Sequence, residues 1–182
     1  MKKTFAFKLL MVYTLVFGGF ALSVCQADQD LSDLGSGKWK GSFFKEKSHD
    51  ENRIREGDFS LVYRSSEDLS GKEAVLEFNP PLDLTQWQGL KFWVYSELAT
   101  AGTVTIVLSS GMTSEKENYF AYKLKTDFEG WKEVFVPLSD FKKVREASMS
   151  NIVSIKFWDF SGNPVAEDTA LFFNGMKLIQ SE

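Results

Sequence analysis

"GLKFWVYSE" (residues 89–97) decides the fold. Leu90, Phe92 and Val94 alternate with Lys91, Trp93, Tyr95 and Glu97, the period of two that marks a strand with one buried face. Working outward, the same reading repeats in "DFSLVYRS" (58–65), "EAVLEF" (73–78), "TVTIVLSS" (103–110) and "NYFAYKLK" (118–125). It continues in "WKEVFVPL" (131–138), "IVSIKFWDF" (152–160) and "ALFFNGMKLI" (170–179), and "GKWKGSFF" (37–44) is a candidate ninth strand. Each is short, rich in β-branched or aromatic residues, and bounded by turn formers. Only "DLTQW" (83–87) and "LSDFKKV" (138–144) offer helical turns, each with an Asp or Ser able to cap it. Strands this numerous, with no helix to cover them, bury their apolar faces on one another. The expected fold is all-β, a two-sheet antiparallel β-sandwich.

Alternation also sorts the faces. Val104, Ile106 and Leu108 point inward against Thr103, Thr105 and Ser109. Phe120, Tyr122 and Leu124 oppose Tyr119 and Lys123, while Val153, Ile155 and Phe157 oppose Ser154, Lys156 and Trp158. If 73–78, 103–110, 118–125 and 152–160 share a sheet, its outward face gathers Glu77, Thr105, Tyr119, Lys123, Lys156 and Trp158. Aromatic rings among hydroxyls and charges are the ingredients of a ligand face. The opposite sheet presents Arg64, Trp93 and Tyr95, the second candidate face. Trp158 has a competing reading as a packing residue under "SGNPVAED" (161–168).

Residues 1–27 read as a signal peptide: a basic "MKK", the apolar run Leu9 to Val24, and small residues ending at Ala27. Sixteen residues of helix reach roughly 24 Å, short of a bilayer's hydrocarbon core of roughly 30 Å. "LSVC" (22–25) also resembles a lipobox, so lipidation of Cys25 is the alternative to simple cleavage. The reading divides the chain into leader 1–27, N-terminal segment 28–36 and sandwich 37–182, exported to the periplasm or beyond. Cys25 is the sole cysteine, so the folded part holds no disulfide. Loss of Lys2, Lys3 and Lys8 with the leader moves the formal charge from −4 to −7. That disfavours nucleic acid or an anionic membrane as partner and favours a neutral ligand.

Catalytic signatures are missing. His49, the only histidine, lies in the polar run 45–58, read as a solvated loop. Zinc clusters of Cys and His and Gly-rich phosphate loops are absent. Glu77, Glu97, Glu133 and Asp159 show no spacing that selects an acid–base pair.

"PPLDLTQWQGLKFWVYSE" (80–97), "NYFAYKLKTDFEGWKEVFVPLSDF" (118–141), "NIVSIKFW" and "ALFFNGMKLI" together resemble the galactose-binding-like jelly roll of carbohydrate-binding modules, over most of residues 34 to 179. The complex I intermediate-associated protein family shares that skeleton. The resemblance implies a non-enzymatic binder of polysaccharide or oligosaccharide, acting on a sheet face or loop rim, beside glycan-active enzymes. It makes Trp131 a framework residue rather than a sugar platform. It also implies a structural calcium, with Asp33 in the acidic position and Asn174 where an Asp is usual. Two alternatives stay open: a polysaccharide lyase or hydrolase with a carboxylate or Tyr/Lys site, and an envelope scaffold or assembly factor.

Overall fold

The computed structural model describes residues 28–31, 39–44, 46–64, 73–159, 165 and 169–180. Residues 1–27 with Cys25, Asp33, and most of the loop after Trp158 lie outside the described residues. The strands are β1 (Gln29–Asp30), β2 (Lys40–Gly41), β3 (Glu46–Ser48), β4 (Ser60–Arg64), β5 (Glu73–Leu82) and β6 (Trp87–Ser96). They continue as β7 (Thr103–Thr113), β8 (Lys116–Lys125), β9 (Gly130–Pro137), β10 (Lys142–Val144), β11 (Ile152–Trp158) and β12 (Ala170–Gln180). One sheet runs β3-β4-β12-β6-β9 with β1 on β12; the other runs β10-β8-β7-β11-β5-β2. The β-sandwich expected from alternation is present, and β5, β7, β8 and β11 share one sheet as predicted.

The short strands β1, β3 and β10 escape a periodicity reading because two or three residues hold no period. Of the candidate strand at 37–44, residues 39–44 are described, and only β2 among them is strand, for a tertiary reason. Gly41, at φ +99, lies so close to β5 that a Cβ would stand 2.2 Å from the Glu73 carbonyl oxygen. That same oxygen accepts from the Ser42 and Phe43 N–H groups at 2.8 and 3.0 Å. The chain therefore leaves the sheet edge and drops Phe43 into the core.

Residues 83–87 form a turn and not a helix. The Asp83 carboxylate accepts from the Thr85 amide (2.8 Å) and hydroxyl (2.6 Å), which closes an Asx turn instead. Leu138–Asp140 is a 3₁₀ turn, as expected, but no side chain caps it. A second 3₁₀ turn, Glu51–Arg53, is capped by Asp50, whose carboxylate accepts from the Asn52 amide at 2.9 Å.

Aromatic rings join the sheets. Phe43 stacks on Tyr63 at 4.2 Å, and Phe157 of β11 meets Phe173 of β12 edge-on at 5.1 Å. Phe43, Tyr63, Phe92, Phe157 and Phe173 are fully buried, and edge-to-face pairs add about 0.5–1.5 kcal/mol each beyond their area. One inward assignment fails. A register shift between Ile152 and Ser154 turns Ile152 into the core and leaves Val153 half-buried. From Ser154 onward, alternation resumes as the sequence predicts.

Candidate functional site

The outward face of the β11 sheet is built from cross-strand rows. Glu73, Trp158, Thr105 and Lys123 are register partners across β5, β11, β7 and β8. Two pleats along, Glu77, Ser154, Ser109 and Tyr119 form a parallel row. Lys156 stands between the rows, opposite Val75 and Val107. All six residues singled out from the sequence thus lie on one face of one sheet. A depression of about 500 Å³ opens there, lined by Glu73, Val75, Glu77, Ser154 and Lys156 among others.

The members differ in what they can offer. Trp158 and Tyr119 are half-buried, and Lys123 is exposed. Glu77 is exposed and ion-paired to Lys40 of β2. Thr105 is only 8% exposed, and its hydroxyl has no hydrogen-bond partner. It is a covered residue between Trp158 and Lys123, not a hydroxyl displayed to solvent.

The sequence reading missed two participants. Glu117 sits at the centre of a polar cluster, accepting from Lys156 (2.5 Å) and Ser109 (2.6 Å). Burial alone would raise the Glu117 carboxyl, but these hydrogen bonds and the nearby Lys156 and Arg145 charges win and hold it below its ordinary value. Starting the strand at 118 excluded Glu117, although it continues the outward series 117, 119, 121, 123. Arg145 follows β10 with φ 59, an uncommon conformation for a non-glycine residue. It donates to the Glu117 carbonyl oxygen at 2.5 Å and lies 5.9 Å from the Tyr119 ring centroid. No sequence signal marks Arg145, because it lies in a turn.

The second candidate face is already occupied by the chain itself. On the outer side of β6, β9 and β12, Tyr95 meets Trp131 edge-on at 5.4 Å and Phe172 at 5.9 Å, and Trp93 lies 6.5 Å from Trp131. The segment 49–59, most of which belongs to the 45–58 run expected to be a solvated loop, folds across these rings. Arg53 sits 3.9 Å over Tyr95, while Arg55 lies 5.6 Å from Trp93 and 5.2 Å from Trp131. The Trp131 indole donates to the Asn52 carbonyl oxygen at 3.3 Å. Trp131 is a packing residue, as expected, but beneath this strap rather than between the sheets. Arg64 is bound to Glu46 at 2.7 Å, and Trp93, Tyr95 and Trp131 are half-buried. Lys91, on the same surface, is raised above its ordinary value by its hydrogen bond to Glu133.

Asn174 clips the strap down. Its side-chain oxygen accepts from the Arg55 and Glu56 amides at 3.0 and 2.6 Å, and its NH₂ donates to the Glu56 and Phe59 carbonyls at 2.9 and 2.8 Å. Both lone pairs of that oxygen are thereby engaged, so Asn174 does not fit the calcium ligand that the resemblance implied. Asp33, its expected partner, lies outside the described residues. Among the described residues no group of three His, Cys, Asp or Glu side chains could hold a metal. His49 is exposed, with Nδ1 2.9 Å from the Asp58 carbonyl oxygen, and takes part in the strap rather than in any acid–base arrangement.

Residues 29–149 match the carbohydrate binding domain (family 11). The chain belongs to that family. This family 11 domain is a non-catalytic module that binds polysaccharide, which does not favour the lyase or hydrolase alternative. Solved structures share its fold at low identity. The family 11 carbohydrate-binding module of the cellulosomal cellulase Lic26A-Cel5E of Clostridium thermocellum aligns with a TM-score of 0.61 at 16% identity, over 85% of this chain and 95% of that one. A family 30 carbohydrate-binding module aligns with a TM-score of 0.64 at 13% identity, over 86% and 100%. A family 11 module from Clostridium thermocellum in complex with a β-1,3-1,4-mixed-linked tetrasaccharide aligns at 0.53 and 16%, over 79% and 82%. No curated protein sequence matches the family 11 domain described here. Among the described residues no helix is long and apolar enough to cross a membrane.

Proposed function

We propose that this module is exported and holds a polysaccharide across the outward face of the β11 sheet, with Trp158 stacked on a sugar ring. The observation that carries the reading is the convergence of Trp158, Tyr119, Lys156, Glu77 and Lys123 on the face where the depression opens. The apolar C–H face of a pyranose packs on an aromatic ring, and its hydroxyls are met by flanking carboxylate and ammonium groups. Trp158 and Tyr119 are two strands and four residues apart in register. At standard strand spacings that separates them by roughly 16 Å. Such a span suits several linked sugars and not one. The covered aromatics of the other sheet support the same choice by elimination. Export rests on the leader-like residues 1–27, with Cys25 lipidation as the variant outcome.

Isothermal titration of Trp158→Ala against soluble β-glucan tests the face. Binding should weaken by about 1–3 kcal/mol, as for loss of a central aromatic anchor, with the far-ultraviolet circular dichroism unchanged. Normal affinity together with early melting would show Trp158 to be a packing residue under the 161–168 loop. Mass spectrometry of the protein recovered from the periplasm or medium tests export. An intact residue 1 would sink it, and a lipid on Cys25 would replace simple cleavage.

A further inference from the structure

We infer that the ligand of this face is an anionic polysaccharide, one bearing carboxylate or sulfate groups, whose charges lie along the β8–β10 edge. The inference rests on the reading that the β11-sheet face is the glycan site. It starts from a charge imbalance on that face. Lys40, Lys123, Lys125, Lys142, Arg145 and Lys156 face outward against Glu73, Glu77 and Glu117. This is a surplus of three positive charges on a chain whose formal charge is −4.

The surplus is not spread evenly. Lys40 and Lys156 are ion-paired, to Glu77 and Glu117. Lys123, Lys125, Lys142 and Arg145 are all exposed, all on β8, β10 or the turn after it, and none is ion-paired among the described residues. Lys123 and Lys125 are two residues apart on one pleat, about 7 Å. Lys142 pairs with Ala121 and so lies diagonal to Lys123, about 7–8 Å away. These spacings fall within a Debye length of about 8–10 Å, so the cations repel one another until an anion sits among them. Glu117, the carboxylate of β8 on this face, is already engaged by Lys156 and Ser109. Arg145 lies against Tyr119 and joins the cationic edge to the proposed stacking surface. The chain's overall negative charge pointed to a neutral ligand; its distribution points the other way.

The test titrates the purified protein with polygalacturonate, κ-carrageenan and neutral mixed-linkage β-glucan, at about 20 mM and about 500 mM salt, where screening is strong. At least one anionic probe should bind about tenfold more tightly than the β-glucan at low salt, with the advantage shrinking at high salt. Which probe wins tells carboxylate from sulfate. The double variant Lys125→Gln, Lys142→Gln, which spares Lys123 of the stacking face, should lose about tenfold on the anionic probe and nothing on the β-glucan, with its melting temperature kept. Equal anionic binding by wild type and double variant overturns the inference, as does a preference for β-glucan at both salts. Trp158→Ala separates the two readings. If it weakens β-glucan binding while the lysine variant changes nothing, the face stands and only the anionic ligand fails. If Trp158→Ala leaves every probe bound as before, the face itself is wrong and the inference falls with it.

Discussion

The outer faces of the two sheets carry similar ingredients and use them in opposite ways. One has Trp93, Tyr95, Trp131 and Phe172 with Arg53 and Arg55 laid over the rings. The other has Trp158 and Tyr119 with Lys156, Lys123 and Arg145 around them. On the first, the cations belong to a strap pinned by Asn174, so the aromatic surface is satisfied within the fold. On the second, Arg145 approaches the Tyr119 ring at 5.9 Å, and a depression opens on the β5–β11 side, beside Lys156. An aromatic cluster on a sheet therefore does not by itself identify a binding face; what lies over it decides.

The sharpest way to break the comparison is to cut the clip. Asn174→Ala removes four hydrogen bonds and leaves backbone donors and acceptors of a part-buried loop without partners. The loss should be about 3 kcal/mol, or about 9 °C in a calorimetric melt of a domain this size. Glycan affinity of the folded fraction should hold. A fall in affinity with an unchanged melt would mean that the strap belongs to the binding site.

Trp131→Ala asks the same question of the covered rings. Losing two ring contacts, an Arg contact and a hydrogen bond should destabilise by about 2 kcal/mol. Denaturant melts would register this, and titration should find binding intact. Binding lost in well-folded protein would move the platform to this face.

Arg53→Gln is a gentler probe, since it keeps the strap and removes the charge over Tyr95 and Phe172. About 1 kcal/mol of stability should go. Quenching of tryptophan fluorescence by acrylamide should stay unchanged, because Trp93 and Trp131 lie under Arg55 and not Arg53; a rise would mean that Arg53 holds the whole strap in place.

The smallest effect concerns pH on the open face. Glu117 is held below its ordinary value of 4.5 in the fold, so its ionised form stabilises the folded state. That contribution is complete above about pH 4.5 and disappears as pH falls through the lowered value. Glu117→Gln should therefore melt about 1–2 °C below wild type at pH 7, the effect of a partly exposed ion pair. The two should converge as pH falls through that lowered value. A gap that persists in acid would assign the effect to packing rather than charge.

The strands, the two-sheet fold and the membership of the open face were legible in the sequence, because alternation is a local property that any strand of adequate length displays. Leu90, Phe92 and Val94 declare their face without reference to the rest of the chain. The Ile152–Ser154 bulge was not legible, since an extra residue in a ladder is defined by the partner strand. The role of Asn174 was not legible either. It reaches the Glu56 amide across 118 positions of sequence, and a short polar side chain in a strand gives no sign of which loop will come to it. The same holds for Lys156 and Glu117, 39 residues apart. Composition and periodicity fixed which side chains face outward. Which of those surfaces the protein covers with its own arginines was decided by contacts that form only once β3, β4 and β12 bring the 49–59 segment across the sheet.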